Sequence, residues 1–124
     1  MNIAVYCGSA SGNRPSFTEG AKALGSWIAQ NGHTLVYGGS RTGLMGAVAD
    51  AVLAGGGKVI GVIPDVKLIQ ERRHPGLTEC IETKDMAERK QKMIELADAY
   101  VALPGGPGTL DEISEAVSYT HLRA

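Results

Sequence analysis

Two glycine-rich segments of the chain combine open backbone with polar side chains in a way that suits holding an anion. One reads Pro104-Gly105-Gly106-Pro107-Gly108-Thr109-Leu110-Asp111-Glu112, the other Gly38-Gly39-Ser40-Arg41-Thr42-Gly43-Leu44-Met45-Gly46. Each joins an apolar, strand-like run to a helical pattern. A turn of that kind presents backbone N–H groups and the positive end of a helix dipole, so it can hold a phosphate without any net positive charge. Two familiar phosphate motifs fail on their required residues. A P-loop needs Lys and Ser/Thr where this chain has Leu44-Met45, and a dinucleotide fingerprint needs G-x-G-x-x-G where it has Gly8-Ser9-Ala10-Ser11-Gly12. For the loop at 104–112 a plain structural turn and a phosphate cradle both remain open.

A cation and a carboxylate complete the chemistry. Asp85 can cap a helix with Glu88 closing a capping box, and on that helix Met86, Met93, Leu96 and Ala97 form the apolar stripe. Arg89 falls inside the stripe and Lys90 flanks it. Arg89 is either a snorkelling side chain paired to a core carboxylate or a cation awaiting a phosphate or carboxylate. Glu112 has two readings as well. In Thr109-Leu110-Asp111-Glu112 it can close a capping box, or it can act as a free carboxylate. His33, His74 and His121 are scattered without ligand spacing, so no metal site is expected. Cys7 and Cys80 form no CxxC or Cys/His cluster and read as buried free thiols.

These residues need a frame to converge. Apolar runs at 3–7, 34–37, 58–63 and 99–103, with a weaker one at 80–83, alternate with helical patterns at 17–30, 44–53, 86–97 and from Leu110 onward. Phe17, Ala21, Leu24 and Ile28 share one face of the first helix, which Asn31-Gly32 stops. Unbroken apolar strands are buried on both faces, and helices between them imply right-handed crossovers and a parallel sheet. The fold class is therefore α/β, a Rossmann-like doubly wound parallel sheet with helices on both faces. Ligands in such sheets bind beyond the carboxyl ends of the strands. Gly8, Gly38-Gly39 and Gly105-Gly106 all fall there, which predicts one site.

Composition sets the limits. A chain of 124 residues fits one compact domain, and 44% hydrophobic with 20% charged residues is ordinary for a globular protein. Twelve Lys+Arg against thirteen Asp+Glu leave a formal charge of -1, so broad electrostatic capture of nucleic acid or an anionic membrane is not expected. Any anion must be held by placed groups. Seventeen glycines are about twice the usual ~7%, yet they form no repeat. No apolar run approaches the ~20 residues of a membrane span, and the start lacks a targeting signature. The expected compartment is the cytoplasm.

The motifs closely resemble those of the LOG ("Lonely Guy") cytokinin-activating phosphoribohydrolases. Residues 104–112 match their PGGxGTxxE motif, and Met86-Ala87-Glu88-Arg89-Lys90 matches the MxxRK segment that accompanies it. Supporting matches are Cys7-Gly8-Ser9, Gly38-Gly39, Gly43-Leu44-Met45-Gly46, Glu71 and His74-Pro75-Gly76-Leu77-Thr78-Glu79. The resemblance covers residues 1–117, expected to form one nucleotide-binding domain. Residues 118–124 are unlike the family and read as an atypical tail from truncation or read-through. The resemblance implies hydrolysis of purine or cytokinin riboside 5'-monophosphates, AMP included, to free base and ribose 5-phosphate, with no cofactor. It implies Arg89 and Glu112 as catalytic residues. Gly8, Ser9, Gly38, Gly39, Glu71, Lys90, Gly105, Gly106, Pro107, Gly108, Thr109, Leu110 and Asp111 would contact substrate. It also implies a homodimer. Related molybdenum-cofactor carriers share the glycine loops, so a non-catalytic nucleotide or cofactor binder is the alternative. The label "lysine decarboxylase", often attached to this family, requires a Schiff-base lysine, and no lysine stands out for that role.

Overall fold

The computed structural model describes residues 1–6 and 15–103. Within them the chain runs β1 (Asn2–Tyr6), α1 (Pro15–Gln30), β2 (Thr34–Tyr37), α2 (Gly43–Ala54), β3 (Lys58–Pro64), α3 (Lys67–Glu71), β4 (Glu79–Thr83), α4 (Met86–Leu96) and β5 (Ala99–Ala102). The five strands form one sheet in the order β4-β3-β2-β1-β5, and every pairing is parallel. This is the expected doubly wound α/β architecture.

Alternation along the strands sorts side chains to the two faces. Ile3, Val5, Leu35, Tyr37 and Val59 meet Ala21, Ile28, Leu44, Val48 and Val52 of α1 and α2 on one face. On the other, Ala4, Tyr6, Val36 and Val62 meet Met93, Ile94 and Ala97 at α4. Helices α1 and α2 approach closely because Gly25 has no side chain. A Cβ there would lie 2.6 Å from both Ala51 Cβ and the Val48 carbonyl oxygen. The chain marches outward from β1 to β4, then returns over the opposite face through α4 to place β5 on the far side of β1. The strand order therefore reverses between β1 and β5, and that crevice is where such sheets bind ligands.

Two expectations need refinement, and one helix was not expected. Burial on both faces holds for β1, β2 and β3, whereas β4 and β5 are half-exposed because they are the edges of the sheet. Helix α3 has no sequence signature, since five residues with none buried display no apolar period. Cys80 is a free thiol that is half-buried rather than buried, as an edge strand dictates. Cys7 and the helical pattern from Leu110 lie outside the described residues. Among the described residues, no helix is long and apolar enough to cross a membrane.

Candidate functional site

Parallel strands end on one edge, and the order β2-β1-β5 makes three of those ends neighbours. Tyr37, Tyr6 and Ala102 are their last residues. The chain leaving them carries Gly38-Gly39, Gly8-Ser9 and the Pro104–112 loop respectively. The described strand ends thus lie side by side at the edge where the glycine positions predict one site. Of the expected site residues, Gly38, Gly39, Glu71, Arg89 and Lys90 are described. Gly8, Ser9, Gly105, Gly106, Pro107, Gly108, Thr109, Leu110, Asp111 and Glu112 lie outside the described residues.

The turn after β2 is built from short bonds. Gly39 takes φ 84°, a left-handed conformation that suits glycine. The Tyr37 hydroxyl donates to the Ser40 carbonyl at 2.9 Å, and Ser40 Oγ lies 2.8 Å from Thr42 Oγ1 and accepts from the Thr42 N–H at 3.1 Å. Thr42 is the N-cap residue of α2, yet its side chain makes no cap bond. The first turn of α2 folds tightly against this loop, since a Cβ on Gly46 would overlap the Arg41 carbonyl. Helix α2 thus points its positive end at the strand edge.

Arg89 reaches the same edge from the opposite face. Asp85 Oδ1 accepts from the Glu88 N–H at 2.9 Å, as expected of a cap, while Glu88 Oε1 accepts from the Lys84 N–H at 3.3 Å, one residue before the expected partner. One turn into the helix, Arg89 is only 6% exposed. Its Nη1 donates to Met86 Sδ at 3.6 Å, and its Nη2 lies where a Cβ on Gly38 would be. Met45 Cε closes on the same point at 3.3 Å. The guanidinium does not snorkel to water. It ends against the glycine turn, so the structure brings Arg89 and Gly38 together as only a glycine permits. Lys90 follows, half-buried.

Glu71 ends α3 with its side chain exposed, and its carbonyl accepts from Arg41 Nη1 at 2.6 Å. The segment after it is fastened along the glycine turn. The Arg41 N–H donates to Arg72 O at 2.9 Å, Ser40 bridges Arg73, and the His74 N–H donates to Gly39 O at 2.8 Å. The imidazole of His74 is buried and bonds Asp50 of α2 at 2.6 Å. Sequence reading passed over this pair because Asp50 lies 24 residues away and the two share no local motif. Among the described residues, no group of three or more His, Cys, Asp or Glu could hold a metal ion. A shallow cleft of 240 Å³ lies at the other edge of the sheet, by Gly32, His33, Gly57 and Lys58.

Known proteins resemble the chain in sequence and in fold. Residues 45–124 match the family model described as possible lysine decarboxylase. The chain is 45% identical over 122 residues to a cytokinin riboside 5'-monophosphate phosphoribohydrolase of Rhodococcoides fascians, covering 98% of this chain and 62% of that protein. It is 44% identical over 120 residues to one of Arabidopsis thaliana, covering 97% of this chain and 55% of that protein. The chain thus spans about half to three fifths of these relatives' length. Among solved structures, a molybdenum-cofactor carrier protein of Chlamydomonas reinhardtii superposes with a TM-score of 0.82 at 25% identity, over 96% of this chain and 71% of that one.

Proposed function

The chain belongs to the family described as possible lysine decarboxylase, within which it resembles the phosphoribohydrolases, and on that premise we propose that it hydrolyses purine or cytokinin riboside 5'-monophosphates. The observation that carries the proposal is the buried guanidinium of Arg89 against Gly38 at the carboxyl edge of the sheet, beside the crevice between β1 and β5. A cation so placed can hold a phosphorylated substrate and balance charge during the reaction.

In the proposed reaction, the bond between the base nitrogen and C1' of the ribose breaks and its electron pair leaves with the base. Water adds to C1', one of its protons passes to a base and the departing purine is protonated. An oxocarbenium-like ribosyl cation forms on the way, and a carboxylate both stabilises it and activates the water. Glu112 takes that role. The backbone of residues 106–109 holds the 5'-phosphate, with Gly8, Ser9, Gly105, Leu110 and Asp111 completing that wall. Gly38, Gly39, Glu71 and Lys90 contact the remainder of the substrate. Residues 1–117 form the nucleotide-binding unit, no cofactor takes part, and the working form is a cytoplasmic homodimer.

Decarboxylation of lysine fits these residues poorly. Pyridoxal phosphate chemistry needs a lysine for the Schiff base, one that burial or a neighbouring cation can keep neutral. Lys22, Lys58, Lys67 and Lys84 are exposed, and Lys90 and Lys92 are half-buried; none is enclosed. The second reading, a nucleotide or molybdenum-cofactor carrier, is favoured by the fold likeness to the algal carrier protein. The two readings part on turnover. Incubation with AMP should release adenine, detected by chromatography, without added metal or cofactor, and adenosine should be a poor substrate because it offers the cradle no phosphate. Binding of AMP without release of base would favour the carrier.

A further inference from the structure

His74 is buried within a stretch whose neighbours Glu71, Arg72, Arg73, Pro75 and Gly76 are all exposed. Burying an imidazole there requires that both ring nitrogens be satisfied. Nδ1 accepts from the Gly76 N–H at 2.9 Å, and Nε2 lies 2.6 Å from Asp50 Oδ1. A backbone N–H only donates, so Nδ1 carries no proton and the ring proton sits on Nε2, directed at the carboxylate. The same residue's own N–H holds the Gly39 carbonyl at 2.8 Å. One side chain and one amide thereby connect α2, the Gly76 turn and Gly39. Gly39 in turn follows Gly38, against which the Arg89 guanidinium rests.

We propose that His74 is a positioning residue: as the neutral Nε2–H tautomer bound to Asp50, it locks the segment carrying Glu71 onto the Gly38-Gly39 turn and so shapes the surface that binds nucleotide. The inference rests on the phosphoribohydrolase reading for its consequence, not for its geometry. Because the bonds of His74 run to Asp50, Gly76 and Gly39, its effect falls on binding rather than on chemistry.

The partner is the gentler place to cut. The Asp50 side chain is 68% exposed, so Asp50→Ala removes the bond without opening the core. Asp50→Ala should raise the KM for AMP about five- to tenfold while kcat stays within about twofold, the pattern of weakened substrate positioning. Asp50→Asn keeps an oxygen to accept from Nε2–H and should remain within about twofold of wild type on both constants. Nitrogen NMR of the labelled ring should show Nε2 protonated and Nδ1 bare, and the His74 and Gly76 amides should exchange faster in Asp50→Ala. An unchanged KM in Asp50→Ala, a doubly protonated ring, or unaltered amide exchange would each overturn the proposal. A wild-type chain that never turns over AMP would instead refute the phosphoribohydrolase reading, and the ring nitrogens and amides would still decide the lock.

Discussion

The two edges of the sheet are both lined with glycine turns, and they use glycine for different ends. At the amino edge, Gly32 and Gly56 take φ 70° and 80° where α1 and α2 stop, and a Cβ at either would meet nothing within 4 Å among the described residues. They are there for backbone conformation, as helix terminators. A Cβ on either of their neighbours Gly55 and Gly57 would crowd the Ala29 methyl, and one on Gly57 the Val52 side chain as well, which is apolar packing. At the carboxyl edge, Gly38 is wanted because a guanidinium occupies the place of its side chain, and Gly46 because a loop carbonyl does. Helix polarity compounds the difference. Parallel strands put helix N-termini at the carboxyl edge and C-termini at the amino edge, so only the first attracts anions. The cleft by Gly32 and Gly57 sits at the wrong pole for a phosphate. Glycine content alone marks no site; what fills the missing side chain's place does.

The sharpest contrast between the edges should come from Glu112. A capping box accepts Gln as well as Glu, so Glu112→Gln should keep any bond back to Thr109 while removing the charge that stabilises a ribosyl cation. Stability should change by well under the ~1 kcal/mol of a lost cap, while kcat falls about 10²–10⁴-fold. AMP should still bind in calorimetry. Wild-type turnover by this variant would reduce Glu112 to a helix cap and leave the carboxyl edge without its carboxylate.

Arg89 comes next. Arg89→Ala should lower kcat/KM by about 10²-fold, as losing a placed catalytic group does. A variant that keeps its activity but melts much earlier would return Arg89 to a purely structural part of the α4 packing.

Gly38→Ala tests the close approach itself. Among the described residues, the atoms nearest the new methyl are the far end of a flexible arginine and the Met45 terminus. The fold should absorb that, with a Tm near wild type, but the guanidinium must move, and kcat/KM should fall about tenfold for a displacement of roughly 1 Å. Equal losses of stability and activity would show that the turn, rather than the arginine, is what the methyl disturbs.

The sequence displayed this contrast only in part. The strands of the sheet interior were legible because β1, β2 and β3 are apolar at every position after the first, and the helix stop at Asn31-Gly32 announced itself. Arg89 stood out because a cation on an apolar stripe is anomalous wherever the helix packs. The link from His74 to Asp50 and the docking of residues 71–74 along the Gly39 turn were not legible. They depend on contacts between segments far apart in the chain and on backbone atoms that every residue type possesses. Helix α3 was hidden for a related reason: it buries nothing, so burial imposes no period on its residues.

The smallest effect belongs to the amino edge. Gly32 donates its N–H to the Ala29 carbonyl at 3.1 Å, and His33 donates to Ile28 at 2.9 Å, which closes the end of α1. With φ 70° and open space around it, the position asks only for a residue that tolerates left-handed backbone. Asn does so, because its short polar side chain can bond locally. Gly32→Asn should therefore cost well under the ~1–2 kcal/mol that this conformation imposes on most L residues, and Gly32→Ala should approach that figure. Chemical denaturation of the two variants would read the difference. Both should hydrolyse AMP at the wild-type rate, since Gly32 lies at the pole of the sheet remote from Gly38 and Arg89. A fall in kcat/KM for Gly32→Asn with little loss of stability would mean that the amino-edge cleft takes part in catalysis, and the functional division between the two edges would be wrong.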